Sequence, residues 1–228
     1  MTMLSEPEAR QHCGPIFFTR SLAKASKENI ITNGSFGLVD TGTIKLLVTC
    51  NHVWEGFDEN HFKDPNVRMC VCLDSKNPVY LDEKHLIDRD KQADLATFDM
   101  TELLSACGGL KFFDIRSKPP PRVKRDDIIF LIGFSGHGRN PGGDFIAFDR
   151  NPFGMIVSSV DSNRFHANVD NIPWDADKYG GISGCPAFLI SAGRANELRL
   201  AGFAMGVWMK QLMFTHAGQL LPDGRIKR

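Results

Sequence analysis

Net charge is the first thing this chain lacks. Its 27 Lys and Arg residues are matched by 27 Asp and Glu, so the formal charge at neutral pH is zero. A balanced chain offers no electrostatic case for nucleic acid or an anionic membrane as partner. It also has no run of about 18 apolar residues, which argues against a helix spanning a bilayer. The first ten residues, Met1 to Arg10, contain no apolar h-region. No secretory leader is therefore expected, and cytoplasmic residence is the default. Internal repeats and low-complexity tracts are absent by eye. Long amphipathic helices are nearly absent too, and only Asp99 to Ala106 reads as a short helical turn.

Cysteine is present but shows no pairing pattern. In a cytoplasmic chain the six residues Cys13, Cys50, Cys70, Cys72, Cys107 and Cys185 read as reduced, mostly buried small hydrophobes. Cys70-Val71-Cys72 puts two thiols on one face of a strand, the form of half a metal site. No second ligand pair follows, and His61 and His85 stand alone, so these thiols read as core filling and no metal or other cofactor is expected. A cysteine-based redox or metal protein would instead carry zinc or thiol activity, which metal analysis tests.

What is present is a succession of short strands. With 42% apolar residues in 228, the chain suits a packed globular protein, as one large all-β domain or two small barrels. Candidate strands are Gly14 to Thr19, Ser35 to Asp40, Ile44 to Thr49, Val67 to Leu73, Leu95 to Phe98 and Asp127 to Ile132. Further ones are Asp144 to Phe148, Gly154 to Val160, Arg164 to Val169, Pro186 to Ile190 and Leu198 to Val207. Thr41-Gly42-Thr43 is the turn of a hairpin. Many brief strands with Gly and Pro turns read as barrel or sandwich. Arg116 to Arg125 is basic and proline-rich, so it is expected to be extended and exposed. It divides the chain into 1–115, a linker at 116–126, and 127–228.

Three segments carry chemistry. They are Leu47-Val48-Thr49-Cys50-Asn51-His52, Ala93-Asp94-Leu95-Ala96 and Gly181-Ile182-Ser183-Gly184-Cys185-Pro186. A serine hydroxyl is a poor nucleophile until an imidazole takes its proton during attack. His52 supplies an imidazole whose ordinary pKa of about 6.5 lies near working pH. Because it follows an apolar strand, it is expected at a strand end. Asp94 supplies a carboxylate to fix the imidazole tautomer and stabilise the imidazolium. Ser183 lies on a turn where Gly180 and Gly181 can adopt angles closed to other residues. That freedom lets the N–H groups of Gly181 and Ser183 converge into an oxyanion hole. The pattern is G-x-S-G-C, so it is not the G-x-S-x-G elbow of α/β-hydrolases.

These residues, in the order His, Asp, Ser, resemble the chymotrypsin/trypsin-like serine proteases, whose segments read T-A-A-H, D-[IL]-A and G-D-S-G-G-P. The resemblance covers about residues 30 to 210, with motif identity confined to the three segments. Asp127 to Gly136 also looks like the strand opening the second barrel of bacterial members. The resemblance implies two six-stranded antiparallel β-barrels with the site between them, the first carrying His52 and Asp94 and the second Ser183. It implies a serine endopeptidase acting through an acyl-enzyme on protein or peptide substrates.

Departures refine the expectation. Val53 stands where secreted members carry a disulfide cysteine. Ile182 replaces the aspartate that pairs with a freed N-terminus in cleavage-activated members, so no such switch is expected. Met205 lies near the place of the serine that usually supports the buried aspartate. Asp177, six residues before Ser183, falls where trypsin-like members hold the acid that selects Arg or Lys at P1, with Lys178 beside it. Met205, Gly206 and Val207 would pair with the substrate backbone. Control by a regulatory protein partner or a gating segment is expected, with residues 1–34 and the tail 215–228 as candidates. The alternative is a catalytically silent, protease-like binding module, since fold does not dictate function.

Overall fold

The computed structural model describes residues 5–20, 30–73, 78–142, 145–168, 180–190, 197–208 and 211–228. The chain is all-β and arranged as two curled sheets. The first contains β1 (Cys13–Thr19), β2 (Ile30–Asp40), β3 (Lys45–Thr49), β4 (Arg68–Cys72), β5 (Pro78–Tyr80), β6 (Leu86–Asp90) and β7 (Leu95–Asp99). Their order is β5-β4-β1-β2-β3-β7-β6, and a short β8 (Phe113–Asp114) pairs in parallel with β2. This unit is therefore a curled half-barrel of eight strands rather than the expected six.

The second unit is the six-stranded barrel that was expected. It consists of β9 (Ile128–Gly142), β10 (Phe145–Val160), β11 (Arg164–Asn168), β12 (Pro186–Ile190), β13 (Leu198–Trp208) and β14 (Gln211–His216). The strands close in the order β10-β11-β14-β13-β12-β9. Two apolar runs that read as separate strands, around Asp144 to Phe148 and Gly154 to Val160, belong to one strand, β10. Ladder pairing with β9 runs through the polar stretch between them, for example Asn151 with Gly133 and Pro152 with Ile132. Backbone hydrogen bonds need no apolar side chains, so polarity alone did not break the strand.

The core is built on phenylalanine. The sequence has 17 Phe against two Tyr, and Phe18, Phe36, Phe98, Phe130, Phe165, Phe188, Phe203 and Phe214 are fully buried. A phenyl ring buries large apolar area, about 2–3 kcal/mol each, without a hydroxyl that needs a partner. Phe165 and Phe214 face each other across β11 and β14 with ring centroids 4.8 Å apart. Between the two units, Val48, Leu95 and Phe113 of the first pack in one cluster with Ile132, Phe188 and Phe203 of the second.

One helix was not foreseen. Asn51–Lys63 forms a 13-residue α-helix, α2, directly after β3, whereas α1 is only Ser5–Ala9. Val53, Trp54 and Phe57 recur at helical spacing and bury against the first core, where Trp54 lies 5.2 Å from Phe57 and 5.4 Å from Phe98. Asp64-Pro65 ends it, since the residue before a proline disfavours helical angles. His52 is thus in the first turn of a helix and not at a strand end, and the stiffness of that turn is what holds it.

The segment 116–126 carries no strand or helix. Its basic residues Arg116, Arg122, Lys124 and Arg125 are exposed, while Pro121 and Val123 turn inward, Val123 into the second core. The tail also has definite partners. Thr97 donates to the Gly224 carbonyl at 2.7 Å, Thr41 to the Pro222 carbonyl at 2.6 Å, and the Ile226 N–H donates to Asp88 at 3.0 Å. Residues after β14 therefore return to the first sheet. No helix among the described residues is long and apolar enough to cross a membrane.

Candidate active site

Strand register brings His52 and Asp94 together although 42 residues separate them. Thr49, the last residue of β3, pairs with Ala96 of β7. The residues leaving β3 therefore lie beside those entering β7. Asp94 completes the turn before β7 with φ of +51°, a left-handed conformation that aspartate tolerates better than most residues. Its neighbour Ala93 is held from both sides. The Ala93 N–H donates to Asp90 at 2.6 Å, and the buried Thr215 hydroxyl donates to the Ala93 carbonyl.

The Asp94 carboxylate uses both oxygens on one residue. Oδ1 accepts the backbone N–H of His52 at 3.0 Å, and Oδ2 lies 2.8 Å from His52 Nδ1. The backbone bond satisfies a donor in the first turn of α2, where Cys50 supplies no side-chain cap and where the helix dipole favours a negative group. Because Nδ1 faces a carboxylate, it is the nitrogen that carries a hydrogen toward Asp94, and Nε2 points away from the carboxylate. About half of the His52 side-chain surface is open, against 15% for Asp94.

The Ser183 turn enters from the second barrel just before β12. Gly181 and Gly184 have φ of +93° and +90°, conformations that glycine adopts without strain. Gly184 donates to the Ala204 carbonyl at 2.7 Å and Ala204 donates to the Cys185 carbonyl at 2.8 Å, so ladder pairing continues past the end of β12. Ile182 is fully buried in the second core beneath Gly133. Among the described residues, the N–H groups of Gly181 and Ser183 donate to no other group.

The Ser183 hydroxyl donates to the Met205 carbonyl at 3.0 Å rather than to His52. Met205 falls at a bulge in β13, where the register with β14 shifts between Ala204 and Gly206. The bulge takes its carbonyl out of the ladder and makes it available. Its side chain packs into the core of the first unit, with the sulfur 3.1 Å from the Thr215 hydroxyl oxygen. Gly206 and Val207 are partly exposed, and a Cβ at Gly206 would meet nothing within 4 Å. Beyond Ala204, the ladder partners of β13 among the described residues are all on β14. Asp177 and Lys178 lie outside the described residues.

Cys50 reads from the sequence as core filling, and neither Ser35 nor Thr215 stands in a motif that singles it out. The Cys50 thiol, together with His52 and Asp94, forms a group whose metal-binding atoms all lie within 4.8 Å of one another. The chemistry of the donors does not suit a metal. Burial first, and then the charge of Asp94, push the Cys50 thiol well above its ordinary pKa, and it already donates to the Ala204 carbonyl at 3.1 Å. It is a protonated thiol, not a thiolate ligand. Cys70 is likewise pushed up to about 12, chiefly by burial and then by Cys72. None of the six cysteines is in a disulfide.

No protein-family model matches the chain, and no curated protein matches it. Solved structures do. The serine endoprotease from Yersinia pestis superposes with a TM-score of 0.59 at 15% identity, covering 96% of this chain and 64% of that one. The present chain thus spans slightly less than two thirds of the endoprotease's length. A structure described as showing aromatic interactions that drive the coupled folding and binding of the intrinsically disordered Sesbania mosaic virus VPg protein superposes with a TM-score of 0.51 at 17% identity. It covers 89% of this chain and 85% of that one. A human pathogenic astrovirus serine protease is also similar, at 12% identity, a TM-score of 0.48, and 89% and 88% coverage. At such identities the first two likenesses speak to the fold. That fold is a chymotrypsin-like arrangement of two curled β units, one of them a closed barrel.

Proposed function

We propose that this chain is a serine endopeptidase in which Ser183 is the nucleophile, His52 the general base and Asp94 the orienting acid. The observation that carries this reading is the pair of hydrogen bonds from the Asp94 carboxylate to one residue, to its N–H at 3.0 Å and to its Nδ1 at 2.8 Å. A carboxylate that merely capped α2 would need only the first of these. The second fixes the imidazole with its basic nitrogen free.

In this mechanism the Ser183 oxygen attacks the scissile carbonyl while His52 Nε2 takes its proton. The oxyanion rests on the N–H groups of Gly181 and Ser183, two donors with no other commitment among the described residues. His52 then protonates the leaving amine, and water deacylates the enzyme by the same route. Every step uses side chains and backbone of this chain. Residues 1–115 and 127–228 form the two halves of the site in this reading, joined by 116–126. Ile182, buried and apolar, has no means of pairing with a freed N-terminal amine. Protein or peptide substrates in the cytoplasm complete the proposal, and the free thiols fit a reducing compartment.

A fluorophosphonate probe tests this directly. The wild-type protein is expected to be labelled, and Ser183→Ala is not. An unlabelled wild type rejects the proposal. It would favour the second reading, a silent protease-like binding module, and one observation leans that way: the Ser183 hydroxyl donates to Met205 and not to His52.

Specificity extends the proposal. By the resemblance to trypsin-like members, Asp177 would serve as the acid that pairs with a basic P1 side chain, and Met205 to Val207 would align the substrate backbone. Arg- and Lys-based chromogenic peptides are expected to be hydrolysed at least about tenfold faster than Phe-based ones, the loss of a buried charge-assisted bond being on the order of 1.5–3 kcal/mol. A Phe preference discards Asp177 as the selector.

A further inference from the structure

The turn that carries Ser183 is held from the other barrel by one buried residue. Ser35 lies on β2 with no exposed surface. Its N–H donates to the Ser183 carbonyl at 2.8 Å, and its carbonyl accepts the Thr49 hydroxyl at 2.8 Å. Its own hydroxyl donates to the Gly181 carbonyl at 2.7 Å and accepts the Phe134 N–H at 3.3 Å. The two backbone bonds would survive any side chain that fitted the space. The two hydroxyl bonds are specific to serine, and both end on backbone of the second barrel.

The Gly181 carbonyl belongs to the planar peptide that joins Gly181 to Ile182. Fixing its oxygen fixes the rotation of that plane, and the N–H groups of Gly181 and Ser183 lie immediately before and after Ile182. We propose that the Ser35 hydroxyl is a positioning residue for these two donors. It holds the Gly181 carbonyl turned toward β2, so that both N–H groups face the place where an oxyanion develops. The inference rests on the reading of Ser183 as nucleophile and adds to it the group that sets the oxyanion geometry. Without the hydroxyl, the Gly181 carbonyl loses this partner. An unpaired carbonyl is costly, so ψ of Gly181 and φ of Ile182 shift until it finds another, and the flanking peptides that carry the two donors change their relative orientation. Displacement of about 1 Å at such a site costs on the order of 10²-fold in rate.

The test compares Ser35→Ala with the wild type on one peptide substrate and one peptide aldehyde, whose adduct carries an oxyanion. In Ser35→Ala, kcat is expected to fall about 10- to 100-fold with KM within about twofold, and aldehyde affinity is expected to fall in step with kcat. Val39→Ala, which removes buried bulk from the same strand, serves as the stability control. It lowers the melting temperature and keeps the wild-type kcat below the transition. Should Ser35→Ala fail to fold, Ser35→Cys keeps the shape with a weaker donor, and its kcat is expected to fall about 3- to 10-fold. A wild-type kcat in either folded Ser35 variant overturns the inference. A fall in KM and kcat matched by Val39→Ala at equal melting temperature also overturns it. A wild type that does not react with fluorophosphonate removes the nucleophile, and the inference falls with the function rather than by itself.

Discussion

Replacing Asp94 with asparagine is expected to lower kcat on the order of 10⁴-fold, about 5 kcal/mol of transition-state stabilisation, with the fold intact. The two atoms that Asp94 offers to His52 behave differently in the variant. The amide carbonyl of asparagine still accepts the His52 N–H, so the first turn of α2 keeps its cap, and asparagine tolerates φ of +51° as aspartate does. The amide nitrogen, however, carries two hydrogens and can only donate. Facing Nδ1 at 2.8 Å, it favours the tautomer with the proton on Nε2, and the ring then presents no base to Ser183. Circular dichroism and the melting temperature should barely change while hydrolysis collapses. A variant that retains more than about a tenth of wild-type kcat would remove Asp94 from the mechanism.

Gly184→Ala is expected to abolish activity by a different route. A Cβ at this position would lie 2.2 Å from the Ser35 carbonyl oxygen, 2.5 Å from the Thr49 hydroxyl oxygen and 2.9 Å from Thr49 Cα. Two of these three atoms are backbone of β2 and β3, which cannot swing aside as a flexible side chain does. The φ of +90° adds strain for any residue with a side chain. The second barrel would have to retreat from the first where the Ser183 turn lies against β2 and β3. A cost of at least about 4 kcal/mol is expected, which for a chain of this size is a fall of roughly 10 °C in melting temperature. Activity should fall more than about 100-fold even well below that temperature, because the displaced group is the nucleophile turn itself. Thermal melts and probe labelling at 20 °C measure the two effects separately. A Gly184→Ala protein that melts and labels as the wild type does would show that the turn is not pressed against β2 and β3.

These two residues also show what could be read in the sequence and what could not. Asp94 and Gly184 stand in short motifs, and the motif reading found the segments that the fold brings to one interface. Strands with clear apolar alternation, such as Ile44 to Thr49 and Pro186 to Ile190, were equally legible. The helix after β3 was not. Val53, Trp54 and Phe57 repeat at helical spacing, but this apolar stripe covers barely more than one turn and the rest of the stretch, Asp58 to Lys63, is mostly polar. The bonds of Ser35 and the bulge at Met205 had no local signature at all. A serine that bonds to residues 146 and 99 positions away is chosen by tertiary contact, and a bulge depends on the register of its partner strand. Asp177, central to the specificity proposal, lies outside the described residues.

The return of the tail to the first sheet bears on how this protein comes apart. Ala9 and Cys13, which precede or begin the first sheet, pack in one cluster with Ile132 and Phe134 of the second unit. Ile226, which follows the second barrel, belongs to that cluster too, and Gly224 accepts from Thr97 on β7. Each half is thus strapped across by a segment lying on the far side of the other in sequence. Nicking the backbone between Arg116 and Arg125 would sever a covalent link and leave both straps fastened. The halves would stay associated and melt in a single cooperative step, so their separation requires unfolding rather than simple undocking.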